Sequence, residues 1–230
     1  MEPAHPLDRP VWSALTTRQA GFAQGDARAW RFAPEYGPFA AAADYTLEHL
    51  DALAALIPVE GSIAVVEPDE IPVPAGTAIV QTLLGSQMLL ERLTSGARAF
   101  AIEALTDADA PDMLALATAT KPGPFAARTH QLGNFVGVKL DGRLVAMVGE
   151  RMKPESFTEI SGLCTYPEYR GQGYGGALMR VVAERILARG ETPFLHVDVR
   201  NAGAIALYEA LGFRSRRVLT MTVLTRSLGR

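Results

Sequence analysis

The chain has little of what would mark a secreted, metal-bound or membrane-spanning protein. Its 230 residues contain one cysteine, Cys164, so no disulfide can close within the chain, and a reducing, cytoplasmic setting is expected. No stretch approaches the ~18 uninterrupted apolar residues of a membrane span. Met1 to Pro10 carries Glu2, Asp8 and three prolines where a signal peptide would have a basic start and an apolar run. Neither sign of charge is in large excess. A net charge of −3 gives no broad basic face, so neither nucleic acid nor a polybasic membrane contact is expected. The histidines His5, His49, His130 and His196 stand at no metal-ligand spacing, so no metal is expected. A Gly-x-Ser-x-Gly elbow is absent, and Cys164 has no partner histidine identifiable from the sequence. A cysteine in a buried strand is ordinarily inert.

What is present is an ordinary globular composition, 48% apolar and 20% charged, enough to bury a sizeable core. Up to about Gly96 the sequence is rich in Ala, Pro and Leu and has few candidate catalytic groups. Thr46 to Ile57 spaces Leu47, Leu50, Leu53, Ala54 and Ile57 as one helical face. Ser62–Glu67 and Gly76–Leu84 read as short strands separated by Pro68, Pro72 and Pro74. From Arg98 the signals sharpen. Strands are expected over Ala99–Leu105, Asn134–Leu140, Arg143–Glu150, Thr158–Cys164, Phe194–Arg200 and Arg217–Thr225. Helices are expected over Ala110–Ala119, Gly173–Ala188 and from Asn201 to Leu211. Asp141-Gly142 marks a hairpin. The order predicts an α/β (α+β) fold with a mixed central sheet flanked by helices. It also predicts two domains, an accessory unit over residues 1–97 and a main one over 98–230.

The most informative segment is Pro167-Glu168-Tyr169-Arg170-Gly171-Gln172-Gly173-Tyr174-Gly175-Gly176, between a strand and a helix. Glycines there let backbone N–H groups approach a ligand, and the helix start beyond them has free donors and a positive dipole end. Together these suit a phosphate or pyrophosphate. No Lys-Ser/Thr follows, so this is not a Walker loop. Gly171, Gly173 and Gly176 meet the dinucleotide fingerprint by spacing, with Glu191 near its acidic position. Against that reading, Pro167 to Arg170 separate the glycines from the strand, and too little chain follows for a doubly wound domain.

Arg170 to Gly175 resembles the Arg/Gln-x-x-Gly-x-Gly/Ala signature of the GNAT acyltransferase superfamily. Phe194 to Arg200 and then Asn201 to Phe213 follow in the family's order, and the resemblance spans Arg98 onward. Arg128 to Glu150 is also similar to the glycine N-acyltransferase-like subgroup. The resemblance implies a mostly antiparallel GNAT sheet, preceded by an accessory or degenerate GNAT-like unit. It implies acetyl-CoA as cosubstrate, with the pyrophosphate on the amides of Gly171, Gln172, Gly173, Tyr174, Gly175 and Gly176 beside Arg170. The backbone of Leu163, Cys164 and Thr165 would pair with the pantetheine arm, and one N–H there would polarise the thioester carbonyl. Asn201 would contact the arm or cap its helix. Tyr208 would be the general acid, or a packing residue between Ile205 and Leu211. Glu159 would be the general base, placed on one strand face with Thr165 by their spacing of six; His130, His196 and Asp198 are other bases. The implied reaction is acetyl transfer to a primary amine, a small-molecule or amino-acid-like acceptor, with a homodimer compatible. A non-catalytic acyl-CoA sensor on the same fold is the alternative, and turnover with an amine separates the two.

Overall fold

The computed structural model describes residues 5–96 and 100–227. In chain order the elements are α1 (Pro10–Thr16), β1 (Ala23–Asp26), β2 (Ala29–Phe32), β3 (Ala40–Ala42), α2 (Leu47–Ala55), β4 (Ser62–Glu67), β5 (Thr77–Leu90) and β6 (Glu103–Leu105). They continue with α3 (Ala110–Thr120), β7 (Phe135–Leu140), β8 (Arg143–Glu150), β9 (Phe157–Thr165), α4 (Tyr174–Ala188), β10 (Thr192–Asp198), α5 (Ala202–Leu211) and β11 (Phe213–Arg226). The expected strand from Ala99 is shorter, Glu103–Leu105; Ala99 itself and the boundary residue Arg98 lie outside the described residues.

An eight-stranded sheet carries the fold, in the order β4-β11-β5-β10-β9-β8-β7-β6. Every neighbouring pair is antiparallel except β9 with β10. This is the mostly antiparallel, helix-flanked sheet that the sequence predicts. The hairpin between β7 and β8 turns on Asp141 and Gly142, whose φ of 50° and 79° are the paired positive values of a type I′ turn. α4 lays Leu178, Val182 and Ile186, all at most 1% exposed, onto one face of the sheet with Val136, Val148, Ile160, Leu195 and Val197. Each such side chain contributes ~1.5–3 kcal/mol of burial. The opposite face is covered by α3 over Met147 and Cys164, and by the start of the chain.

That start reaches far into the rest. β4 and β5 belong to the same sheet as β10 and β11, so the sheet runs across the expected division near residue 97. Leu7, Val11, Phe32 and Phe39 share one core with Met152, Phe194 and Leu219. Arg9 pairs with Glu67 at 2.9 Å and ties the entry to α1 onto β4. The remaining strands, β1, β2 and β3, form a separate small antiparallel sheet, joined to the large one by a bridge between Phe39 and Ala64.

Candidate active site

The single parallel pair in the large sheet is also where that sheet opens. β9 and β10 share the rungs Phe157–Thr192, Thr158–Pro193 and Glu159–Phe194, and then separate. β9 continues to Thr165 and β10 to Asp198, while the far edge of β10 stays paired with β5. The β9 backbone past Glu159 therefore faces a gap with donors and acceptors that no neighbouring strand takes up. Gly162, at φ 71°, sits in a bulge where β9 has one more residue than β8 between successive rungs. The extra residue reverses the side-chain alternation. Ile160 and Leu163 pack on the α4 side, whereas Cys164 packs on the α3 side. Spacing by six consequently does not place Glu159 and Thr165 on one face as expected.

The gap is part of a cleft of about 1310 Å³. Its walls include β9 from Ile160 to Thr165, Arg170 and Gly175 at the start of α4, and Asn201, Leu207 and Tyr208 of α5 with its cap. The structure thus brings Leu163, Cys164, Thr165, Arg170, Gly175, Asn201 and Tyr208 to one cleft, whereas Gly171, Gln172, Gly173, Tyr174 and Gly176 are not part of its wall. α4 begins after Gly173, at φ 83°, with Gly171 at φ 78°. Both conformations are strained for any residue with a Cβ. A Cβ at either position would meet nothing within 4 Å, so it is backbone conformation and not crowding that requires glycine there. The exposed segment Gly171–Gly173 leaves the first turn of α4 open to solvent, while Arg170 donates to the Thr165 carbonyl at 3.2 Å. Tyr174 is turned away, buried against Phe100, with its hydroxyl donating to Gln172 Oε1 at 2.8 Å.

Tyr208 is half-buried, edge-on to Phe213, and burial pushes its phenol up to about 12. It therefore stays protonated across neutral pH. Asn201 Oδ1 accepts from the Ala204 N–H at 3.1 Å, a helix cap that also lines the cleft. Cys164 is buried, and burial pushes its thiol up to about 11, so it is no thiolate nucleophile at neutral pH.

Glu159 is 1% exposed and does not reach the cleft wall. Arg151 grips it with two hydrogen bonds, Nε to Oε2 at 2.9 Å and Nη2 to Oε1 at 2.8 Å, and the Met152 N–H adds a third at 3.3 Å. Burial alone would raise its pKa, but Arg151 and His196 outweigh burial and hold it well below the usual carboxylate range. Sealed from the cleft and bonded to Arg151, Met152 and His196, Glu159 does not meet the amine directly, where the sequence expects a base acting directly or through a water.

His196 is the group at the cleft, where the sequence offers it only as one of several alternatives to Glu159. Its Nδ1 lies 2.8 Å from Glu159 Oε1 and its Nε2 lies 3.1 Å from Gln87 Nε2. Gln87 donates to the Leu7 carbonyl at 2.8 Å and accepts from Arg216 at 3.0 Å, which fixes its amide orientation. Gln87 must then donate to His196 Nε2, and the imidazole carries its proton on Nδ1, toward Glu159. The signal that could have found this pair is the β10–β5 register, which sets His196 opposite Gln87. That register joins residues more than a hundred positions apart.

The other bases considered lie elsewhere or are engaged. His130 is buried against Asp107, 2.9 Å away, outside the cleft. Asp198 lines the cleft, but Arg200 holds it down to about 2. Among the described residues no group of three or more His, Cys, Asp or Glu is placed to hold a metal ion, and no helix is long and apolar enough to cross a membrane.

Comparison with known proteins bears on this arrangement. The sequence model of the FR47-like protein family matches residues 135–222, from β7 into β11. N-alpha-acetyltransferase RimI of Mycobacterium tuberculosis is 31% identical over 134 residues, which is 53% of this chain and 83% of that protein. The [ribosomal protein bS18]-alanine N-acetyltransferase of Escherichia coli is 43% identical over 53 residues, covering 23% of this chain and 36% of that enzyme. A crystal structure from Novosphingobium aromaticivorans, described as an acetyltransferase from the GNAT family, superposes with a TM-score of 0.91 at 45% identity, covering 97% of this chain and 100% of that one. A GCN5-related N-acetyltransferase from Kribbella flavida shares the fold at 17% identity, with a TM-score of 0.69 over 98% of each chain. None of these matches distinguishes the glycine N-acyltransferase-like subgroup. The chain belongs to the GCN5-related N-acetyltransferase (GNAT) superfamily and is an acetyltransferase of that kind.

Proposed function

We propose that the protein transfers an acetyl group from acetyl-CoA to a primary amine by direct attack within a ternary complex. One observation carries this reading: the unpaired edge of β9 and the glycine-opened start of α4 meet in a single cleft. The amides of Gly171 to Gly176 hold the pyrophosphate, with the α4 dipole and Arg170 adding positive potential. The backbone from Leu163 to Thr165 pairs with the pantetheine arm, and an N–H there polarises the thioester carbonyl. Asn201 borders the arm while capping α5.

When the amine attacks the carbonyl carbon, the C–N bond forms and the C–S bond breaks. Tyr208, kept protonated by burial, gives its proton to the departing thiolate. The amine enters as its free base, having lost any ammonium proton to water; the proton that its nitrogen sheds as the amide forms passes to solvent, and the Tyr208 phenolate is reprotonated from solvent. Glu159 is a positioning residue that holds the His196 ring at the edge of the gap. The segment before residue 97 covers the acceptor side of the cleft. The single, buried Cys164 supports a reducing compartment such as the cytoplasm.

Calorimetry with acetyl-CoA, paired with thiol release in the presence of an amine panel, tests the reading. Binding and amine-dependent thiol release are expected. Gly173→Val, which is strained at φ 83° and sets a branched side chain at the start of α4, should weaken binding more than about tenfold. Unchanged affinity in that variant would overturn the assignment of the pyrophosphate site.

A further inference from the structure

The cleft has two chemically different ends, on opposite faces of the sheet. On the α4 side it is lined by Arg170 and Gly175 at the start of α4, and by α5 and its cap. On the other side the floor is the sheet itself. There Val66 of β4 pairs with Met221 of β11, and Met221 pairs with Leu83 of β5. Directly paired residues in antiparallel strands project to the same face, so these three form one apolar row. The neighbouring row runs from Leu219 through Gly85 to Asp198. Met152 and Phe39 close the wall, and Arg151 lies over the Phe39 ring, 4.6 Å from its centroid, with its charge already met by Glu159.

The charge around the cleft is lopsided. Of the cations that line it, Arg151 is met by Glu159 behind the wall and Arg200 by Asp198, the one carboxylate in the lining, which leaves Lys121 and Arg170 in excess. Such a cleft suits an anionic donor and repels an acceptor carrying several positive charges. With no free carboxylate on the floor, recognition of the acceptor falls to apolar contact.

Gly85 is the gap in that floor. It stands on the same face as His196, two residues along β5 from Gln87, and bears no side chain. Its φ is not in the positive region, and an added Cβ would meet nothing nearer than the Val197 carbonyl oxygen at 3.8 Å. Nothing in the backbone therefore demands glycine; its absence of a side chain leaves depth in the cleft.

We propose that the acceptor is a primary amine carried on an apolar body, seated over Val66, Leu83, Leu219 and Met221, and that Gly85 sets the depth of its seat. This rests on the acetyl-transfer reading given above. The test compares kcat/KM for hexylamine and phenethylamine with ethylamine, spermidine and a short alanine-ended peptide, using thiol release, in the wild type and in Gly85→Leu. Hexylamine or phenethylamine should exceed ethylamine and spermidine by more than about tenfold, as apolar seats discriminate by that much for each lost methylene or more. Gly85→Leu should cut transfer to these larger amines more than about tenfold and leave the acetyl-CoA dissociation constant, by calorimetry, within about twofold. Gly85→Ala gives a graded loss if the leucine variant does not fold. Preference for spermidine or the peptide, or full activity in both variants, would overturn the proposal. Failure of the wild type to bind acetyl-CoA would instead overturn the acetyl-transfer reading itself.

Discussion

Glu159→Gln separates a structural tie from a proton acceptor. In the folded protein the carboxylate is sealed from solvent and bonded to Arg151, the Met152 N–H and His196. A glutamine fits the space but turns one N–H₂ toward a donor, Arg151 or His196 Nδ1–H, whichever way its amide points. It also leaves the Arg151 guanidinium, 10% exposed, without its counter-charge. Breaking one partner of such a pair costs about 3–5 kcal/mol, which for a chain of this length lowers Tm by roughly 6–20 °C. The pH dependence follows from the depressed folded pKa. The stabilisation is complete above the unfolded glutamate value, ~4.3, and is lost as pH falls from there toward the lower folded value. The Tm gap between wild type and variant should accordingly be widest near neutrality, hold down to about pH 5 and narrow from there toward pH 3. Replacing Arg151 as well, in Glu159→Gln/Arg151→Gln, should restore much of the loss by removing the stranded charge. Calorimetric melts across that range, with kcat on the same samples, measure both quantities. A variant that melts within about 2 °C of wild type at pH 7 while kcat collapses would refute the reasoning and make Glu159 the proton acceptor.

Tyr208→Phe keeps the ring against Phe213 and removes only the hydroxyl, so kcat should fall by roughly 10²-fold or more while acetyl-CoA affinity holds; equal rates at every pH would return Tyr208 to packing. A chain beginning at Phe100 lacks β4 and β5, which bares one edge of β10 and both edges of β11, and should be insoluble when expressed alone. A soluble product that binds acetyl-CoA would show that the two parts expected from the sequence fold separately.

The glycine-rich entry to α4 and the bounds of α5 were legible because their signals are local. The glycines at 171, 173, 175 and 176 stand within one turn of the helix they open, and Asn201 and Gly212 bound α5 where capping chemistry puts them. The opposite side of the cleft was not, because its pieces meet only across the sheet. β5 read as a strand to Leu84 but runs to Leu90, and the missed part holds Gly85 and Gln87. Gly-Ser-Gln has little strand propensity; pairing with β10 and β11 on both edges supplies what the residues lack. The reversal at Gly162 was equally invisible, since a bulge is a property of two strands together. α1 and the small sheet of β1 to β3 fell in a stretch whose alanines and prolines gave no clear period.

The order β4-β11-β5 has a consequence for how the chain comes together during synthesis. β4 and β5 are neighbours in sequence, yet they never touch as partners; β11, made after every other described strand, slides between them along almost the whole length of β5. Nascent β4 and β5 must therefore wait, the edges that take β11 bare, until every other described strand has been made. Such distant pairing makes closure of the sheet slow, and Met88 and Leu90 of β5 stay uncovered until the later helices and strands arrive, a stretch prone to aggregation. Insertion of β11 is then the step that turns a collection of hairpins and helices into one cooperative unit.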